Sequence, residues 1–289
     1  MCGTGLTVDS NKVTSVTGFV VVQRRTPLGA LPQARWGIAP QRAGLLADLS
    51  PNEAESLIAL DPINAPTSVT RVVSANSLLR GEVIWAARLN SQTPTSFISS
   101  EVYQRFEVIG RPLGKSDKEA KQPFLEVPFA DLRSPRQMFV VPKSFPHSRD
   151  YLSVTSIDPE VIPLNSLLVI SGGSVTTFGI LSSRPFFLWA HVVSQNGVTA
   201  TAYNTFPFPP LTKKQNHEID TAADTVLRAR MHFLGESLND LYSAMPRQLL
   251  QAHKNLDTVV EGILGIPANS SDSEVAKSLY RDYKALLAA

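Results

Sequence analysis

The groups in this chain able to bind a metal or move a proton are five histidines, one cysteine and a scatter of carboxylates. His147, His191, His217, His232 and His253 show no spacing that a metal ion selects. Cys2 stands alone, which leaves no cysteine zinc cluster and no disulfide framework. His253 falls on the apolar face of a helical repeat, where a satisfied core histidine is expected. His217 and His232 fall near opposite ends of another repeat and are expected at solvent. Glu119-Ala120-Lys121 matches half of a nuclease pattern, but no acid accompanies it on a preceding strand, and a charged surface segment produces such a triplet easily. Gly3-Thr4-Gly5 has no strand before it and no third glycine. Gly172-Gly173 follows an apolar run and leads to Ser174-Val175-Thr176-Thr177, which reads as a hairpin turn. Phe208-Pro209-Pro210-Leu211 has the wrong flanks for the D/N-P-P-aromatic signature of amino-methyltransferases. With no P-loop, nucleophile elbow or HExxH, no catalytic residue, metal site or cofactor site is assigned to this chain.

The elements that must position any binding residues divide near Pro207. Before it, Val20–Val22, Val69–Val73, Val83–Leu89, Met138–Val141, Leu167–Ile170, Phe178–Leu181 and Phe186–Val193 read as strands separated by Pro, Gly, Ser and Asn. Several are apolar at successive positions, which suits strands covered on both faces. Ser50-Pro51-Asn52-Glu53 predicts a capped helix running to about Leu60 and stopping before Asp61-Pro62. Gly110 to Pro128 reads as a loop or a charged helix. After Pro207 the pattern turns helical. Thr212 with Gln215 forms a capping box for a helix stopped by Gly235, a second helix opens at Pro246, and Ser271 with Glu274 caps a third. The expected fold is α+β: a strand-rich domain over 1–206 and a small helical bundle over 207–289, whose short helices must pack on one another and on the strands.

With 289 residues, 43% of them hydrophobic, the chain can bury a sizeable core. No run approaches the roughly 18 apolar residues of a membrane helix, and Met1-Cys2-Gly3-Thr4-Gly5 does not begin a signal peptide, so a cytoplasmic setting is expected. The net charge of +2 is too mild to imply a polyanionic partner. Its distribution says more: nine basic residues stand against five acids between Arg105 and Arg149. Such an excess suits either a phosphate-binding surface or a solvated loop.

Several blocks, in order along nearly the whole chain, carry a family resemblance. Trp36-Gly37-Ile38-Ala39-Pro40, Gly44-Leu45-Leu46 and Asp61-Pro62 come first. Phe139-Val140-Val141-Pro142-Lys143 with Arg149-Asp150-Tyr151, and Phe178-Gly179-Ile180-Leu181-Ser182-Ser183 with Trp189, follow. Tyr203-Asn204-Thr205-Phe206-Pro207-Phe208-Pro209 is the most specific, and Ser237-Leu238-Asn239-Asp240-Leu241-Tyr242 and Ala252-His253 come behind it. Together they resemble the target-recognition domain and C-terminal helices of MmeI-like restriction–modification DNA adenine methyltransferases. The resemblance implies recognition of double-stranded DNA on behalf of an adenine-N6 methyltransferase or restriction polypeptide. The catalytic domain and its S-adenosylmethionine site would lie before residue 1 of this chain. An inactive remnant of such an enzyme, or an unrelated enzyme with a site the residues do not reveal, are the alternatives.

On that resemblance the DNA-contacting candidates are Lys143, Arg149, Arg184, His191, Gln195 and Asn196. Lys143 and Arg149 flank a loop leaving a strand, where cations can reach phosphates or a guanine edge. Arg184 follows Ser182-Ser183, and His191 stands where the family more often has arginine. The family's longer basic loop between Trp189 and Tyr203 is replaced here by a short connection that reads as a hairpin turned by Asn196-Gly197. Gln195 and Asn196 could form paired hydrogen bonds with adenine. The aromatic–proline run Tyr203 to Pro210 reads as a rigid junction between strands and helices.

Overall fold

The computed structural model describes residues 13–16, 19–40, 45–63, 65–88, 138–146, 148–194 and 197–288. Strands β1 (Val13–Val16) and β2 (Phe19–Val22) form an antiparallel pair. Two four-stranded sheets follow. The first has the order β3 (Ala34–Trp36), β10 (Leu167–Ser171), β7 (Met138–Pro142), β8 (Thr155–Ile157), antiparallel throughout. The second has the order β4 (Leu45–Leu49), β6 (Ile84–Arg88), β5 (Val69–Val73), β9 (Ile162–Pro163), with β5 and β9 parallel. Helices α1 (Pro51–Leu60), α2 (Ala65–Ser68) and α3 (Ala75–Arg80) accompany the second sheet.

The apolar runs of β7 and β10 have the physical basis expected of them. Phe139, Val141, Leu168 and Ile170 face the main core, while Met138, Val140, Leu167 and Val169 face a second cluster with Val73 and Val161. Both faces are covered, so the usual polar alternation is absent.

From Ser174 onward the described chain is helical. The helices are α4 (Val175–Leu181), α5 (Arg184–Ser194), α6 (Ala200–Thr205), α7 (Lys213–Met231), α8 (Leu238–Ala244), α9 (Arg247–Ile263) and α10 (Asp272–Ala288). The predicted caps are formed: Ser50 with Glu53, Thr212 with Gln215, and Ser271 with Glu274 each exchange side-chain and backbone hydrogen bonds. α1 ends at Leu60 as expected, and Pro246 is the N-cap of α9.

Four expectations are corrected. Phe178–Leu181 and Phe186–Val193 are not strands but lie in α4 and α5. A short apolar run suits a buried helix as well as a buried strand, and α4 is buried from Thr176 to Leu181. Gly172-Gly173 does not turn a hairpin. Gly172 leaves β10 in the left-handed region at φ 71°, and Ser174 then caps α4 through the Thr177 amide. The described residues of the Trp189-to-Tyr203 connection are not a hairpin either: they comprise the end of α5 and the start of α6, which Thr199 caps. α7 ends at Met231, before Gly235, and the unforeseen α8 is capped by Ser237. Gly3-Thr4-Gly5, Gly110 to Pro128 with its Glu119-Ala120-Lys121, His147, Gln195 and Asn196 lie outside the described residues.

One core joins the strands to the C-terminal helices. It contains Val21, Phe139, Phe178, Trp189 and Tyr203 together with Ile219, Leu256, Leu279 and Tyr283. The first and last described elements meet. Tyr280 stacks on Phe19 at 4.4 Å, and the Val22 amide donates to the Tyr283 hydroxyl at 2.9 Å. The aromatic–proline junction is packed as expected. Tyr203, Phe206 and Phe208 are buried, and the Tyr203 hydroxyl donates to Pro32 O at 2.7 Å. A Cβ on Gly29 would come within 2.4 Å of Phe208 O, so the chain before β3 lies directly against this junction.

Candidate nucleic-acid interface

β7 ends at Pro142 and delivers Lys143 to the surface. Its backbone remains tied on both sides: Lys143 N donates to Ser166 O at 2.9 Å, and Lys143 O accepts from Val198 N at 2.9 Å. The second bond, with an antiparallel bridge from Ser144 to Gly197, docks the chain after α5 on the end of β7. Only glycine fits at this contact, because a Cβ on Gly197 would meet Lys143 O at 2.1 Å. The exposed Lys143 ammonium lies 5.6 Å from the centre of the Trp36 ring, contributed by the edge strand β3. His191, half-buried in the last turn of α5, packs edge-on against Phe145 at 5.1 Å and Phe187 at 4.8 Å. The fold thus gathers Lys143, His191 and the chain immediately after Gln195 and Asn196 into one neighbourhood.

Arg149 and Arg184 are placed elsewhere, Arg149 buried and Arg184 half-buried, and both bond to groups of the protein itself. Arg149 is buried: Nη1 donates to Ser153 Oγ at 2.7 Å and Nη2 to Asn239 Oδ1 at 2.7 Å, which ties the loop after β7 to α8. Burial lowers its pKa. Arg184 opens α5 and joins it to the last two helices. Its Nη1 meets Glu261 at 2.8 Å, its Nε donates to Asp272 at 3.0 Å and its Nη2 to Ser270 O at 2.9 Å. Desolvation works against the charge, but the bonds to Asp272 and Glu261 outweigh it and raise the pKa.

Between these arginines lies a polar network that resembles catalytic machinery in composition alone. Tyr151 donates to Asp257 Oδ2, whose other oxygen accepts the Arg184 amide at 2.7 Å. Tyr151 also stacks on His253 at 4.2 Å. The His253 ring joins Ser182 O at 3.1 Å and the Tyr242 hydroxyl at 3.0 Å, and Arg230 donates to that hydroxyl. His253 is fully buried, the satisfied core histidine expected from its helical face, and Tyr151, Tyr242 and Asp257 are also buried. No reactant can reach a general acid or base closed off in this way. The network joins the loop at 149–154 to the helices by bonds between groups far apart in sequence. Among the described residues no cluster of three or more His, Cys, Asp or Glu forms a metal site, and no helix is long and apolar enough to cross a membrane.

Sequence reasoning did not pick out Trp36 as part of this neighbourhood. Nothing in the local pattern could have done so, because it reaches Lys143 only through the pairing of β3 and β7 on either side of β10.

These features define a mixed α+β protein in which a helical tail completes the core of a strand-rich part, and the strand-rich part presents an exposed lysine, without an ion-pair partner among the described residues, just past the end of an interior strand. Residues 15–210 match the family described as MmeI, target recognition domain, and residues 211–289 match MmeI, C-terminal domain; the chain belongs to this MmeI family. It is similar to DNA methyltransferase A of Bacillus subtilis (strain 168), 26% identical over 284 residues, covering 94% of this chain and 32% of that protein. It is also similar to the solved type IIL restriction–modification enzyme MmeI in complex with DNA, with 23% identity and a TM-score of 0.77 over 95% of this chain and 38% of that one. At that identity the likeness is one of fold. The chain spans about a third of the length of the curated relative it matches.

Proposed function

We propose that this chain is the DNA target-recognition part of an MmeI-like restriction–modification system, supplying duplex-DNA binding to an adenine-N6 methyltransferase carried on other polypeptide. The family match along residues 15–289 carries this reading. The similar MmeI structure, which was determined with DNA, supports it. S-adenosylmethionine would bind the methyltransferase part and not the residues of this chain. A cytoplasmic setting follows from that role.

Within the chain, Lys143 is the proposed phosphate contact, because its ammonium is exposed and has no ion-pair partner among the described residues. Gln195 and Asn196, which precede the docked Gly197, are the proposed readers of an adenine edge. His191, packed on Phe145 beside the end of β7, is the further candidate on this side. Arg149 and Arg184 instead engage most of their donors with partners within the protein, Ser153 and Asn239 for the first and Glu261, Ser270 and Asp272 for the second.

A gel-shift series with duplexes of varied sequence tests the reading. The expected result is binding that weakens steeply between about 50 and 200 mM salt and depends on sequence. Absence of binding to any duplex at low salt would sink it.

A further inference from the structure

We infer that Trp36 is a positioning residue for DNA contact, holding the Lys143 ammonium at the rim of the sheet without using its hydrogen-bond donors; this rests on the DNA-binding reading above. The Trp36-Gly37-Ile38 block otherwise has no role in that reading, and the structure explains how it is held. A Cβ on Gly37 would lie 2.2 Å from Leu164 O, so glycine alone lets the end of β3 close against the chain between β9 and β10. Ile38 N donates to Pro163 O at 2.9 Å, and Asn165 N donates to Ile38 O at 2.9 Å. Trp36 pairs with Leu168 of β10, which pairs in turn with Val141, two residues before Lys143. Trp36 and Lys143 therefore emerge on one face of the sheet, on a backbone fixed from both sides.

The manner of holding matters. An acid beside Lys143 would neutralise it and occupy its N–H groups, as Glu261 and Asp272 do for Arg184. An indole face attracts the cation through the ring quadrupole and leaves all three N–H donors for phosphate oxygens. It also restrains a flexible four-carbon side chain before DNA arrives, which reduces the ordering needed on binding. The pair is thus suited to a phosphate contact in a way that the two arginines are not.

The test uses the 289-residue chain and a fluorescein-labelled 30-base-pair duplex, with affinity measured across a salt series. Lys143→Met should lower the slope of log affinity against log salt by about one, the share of a single phosphate contact. Trp36→Leu should keep the full slope, because the charge remains, and weaken binding about two- to fivefold. Trp36→Phe should recover part of that loss. In the Lys143→Met background, Trp36→Leu should add nothing. Lys284→Met serves as a control, since Lys284 lies 5.4 Å from the Tyr280 ring on α10 and should leave binding unchanged.

An equal loss from Trp36→Leu in both backgrounds would overturn the positioning role, because a merely structural tryptophan acts independently of Lys143. An unchanged salt slope in Lys143→Met would overturn the contact itself while leaving DNA recognition intact. No duplex binding by the unsubstituted chain would overturn both this inference and the functional reading beneath it.

Discussion

Tyr151 donates its hydroxyl hydrogen to Asp257 Oδ2 at 2.6 Å, joining residues 106 positions apart. The bond fastens the loop that follows β7 to α9, and both groups are buried. Burial raises the Asp257 pKa from 3.8 to about 6, against the pull of the Arg184 amide and the Tyr151 hydroxyl, which favour the carboxylate. A raised carboxyl pKa means that the folded protein holds the proton more tightly than the unfolded chain. This contribution to stability is therefore full below about pH 3.8 and is lost as pH rises through about 6. The stability of the unsubstituted protein relative to Asp257→Asn should increase by about 2 kcal/mol between about pH 7.5 and pH 4.5, measured by urea unfolding. A constant difference across that window would contradict the assigned burial effect.

His253 should act with the opposite sign. Burial, and next to it the Arg230 charge, depresses its pKa from 6.5 to about 3. Its stabilising contribution is present above about pH 6.5 and is lost as pH falls toward about 3. Relative to His253→Gln, the unsubstituted protein should lose about 3 kcal/mol between about pH 7.5 and pH 4.5. The histidine and aspartate effects oppose each other over that range and leave a net loss of only about 1 kcal/mol, so each shows at full size in the variants and not in the parent curve. Unfolding titrations of the two variants, run in parallel, check both signs.

Arg184→Gln should destabilise the protein by about 2–3 kcal/mol, because Glu261 is left largely buried without its cation while Asp272 regains water. The salt slope of duplex binding by the folded variant should not change. A slope lowered by about one would show instead that Arg184 meets a phosphate.

Gly197→Ala should loosen the docking of the α5–α6 connection on β7, since the added methyl meets a backbone oxygen that has little room to retreat. Hydrogen exchange at the Val198 amide, now bonded to Lys143 O, should accelerate about tenfold or more while exchange in α9 is unchanged. Unaltered exchange at Val198 would mean that the connection tolerates the methyl without undocking.

The parts of this protein legible in its residues are those governed by local physics. Ser50, Thr212 and Ser271 each meet a partner three positions away, and such a bond is available wherever the chain passes, so the starts of α1, α7 and α10 could be read directly. The two-faced burial of β7 and β10 and the place of His253 on an apolar helix face were equally plain, because their periodicity records where the core lies. The ordered motif blocks also carried the family. Tertiary structure decided the rest. Phe178–Leu181 and Phe186–Val193 became helices because a contiguous apolar run fits either state, and packing against the C-terminal helices with the Ser174 cap selected one. The candidate cations divided in the same way. Arg149 found Asn239 and Arg184 found Glu261 and Asp272, partners on distant helices that occupy their donors. Among the described residues Lys143 meets the Trp36 face and no acid, and its charge stays available. Residue type establishes that a side chain can meet a phosphate; which donors remain to do so depends on neighbours that folding brings together.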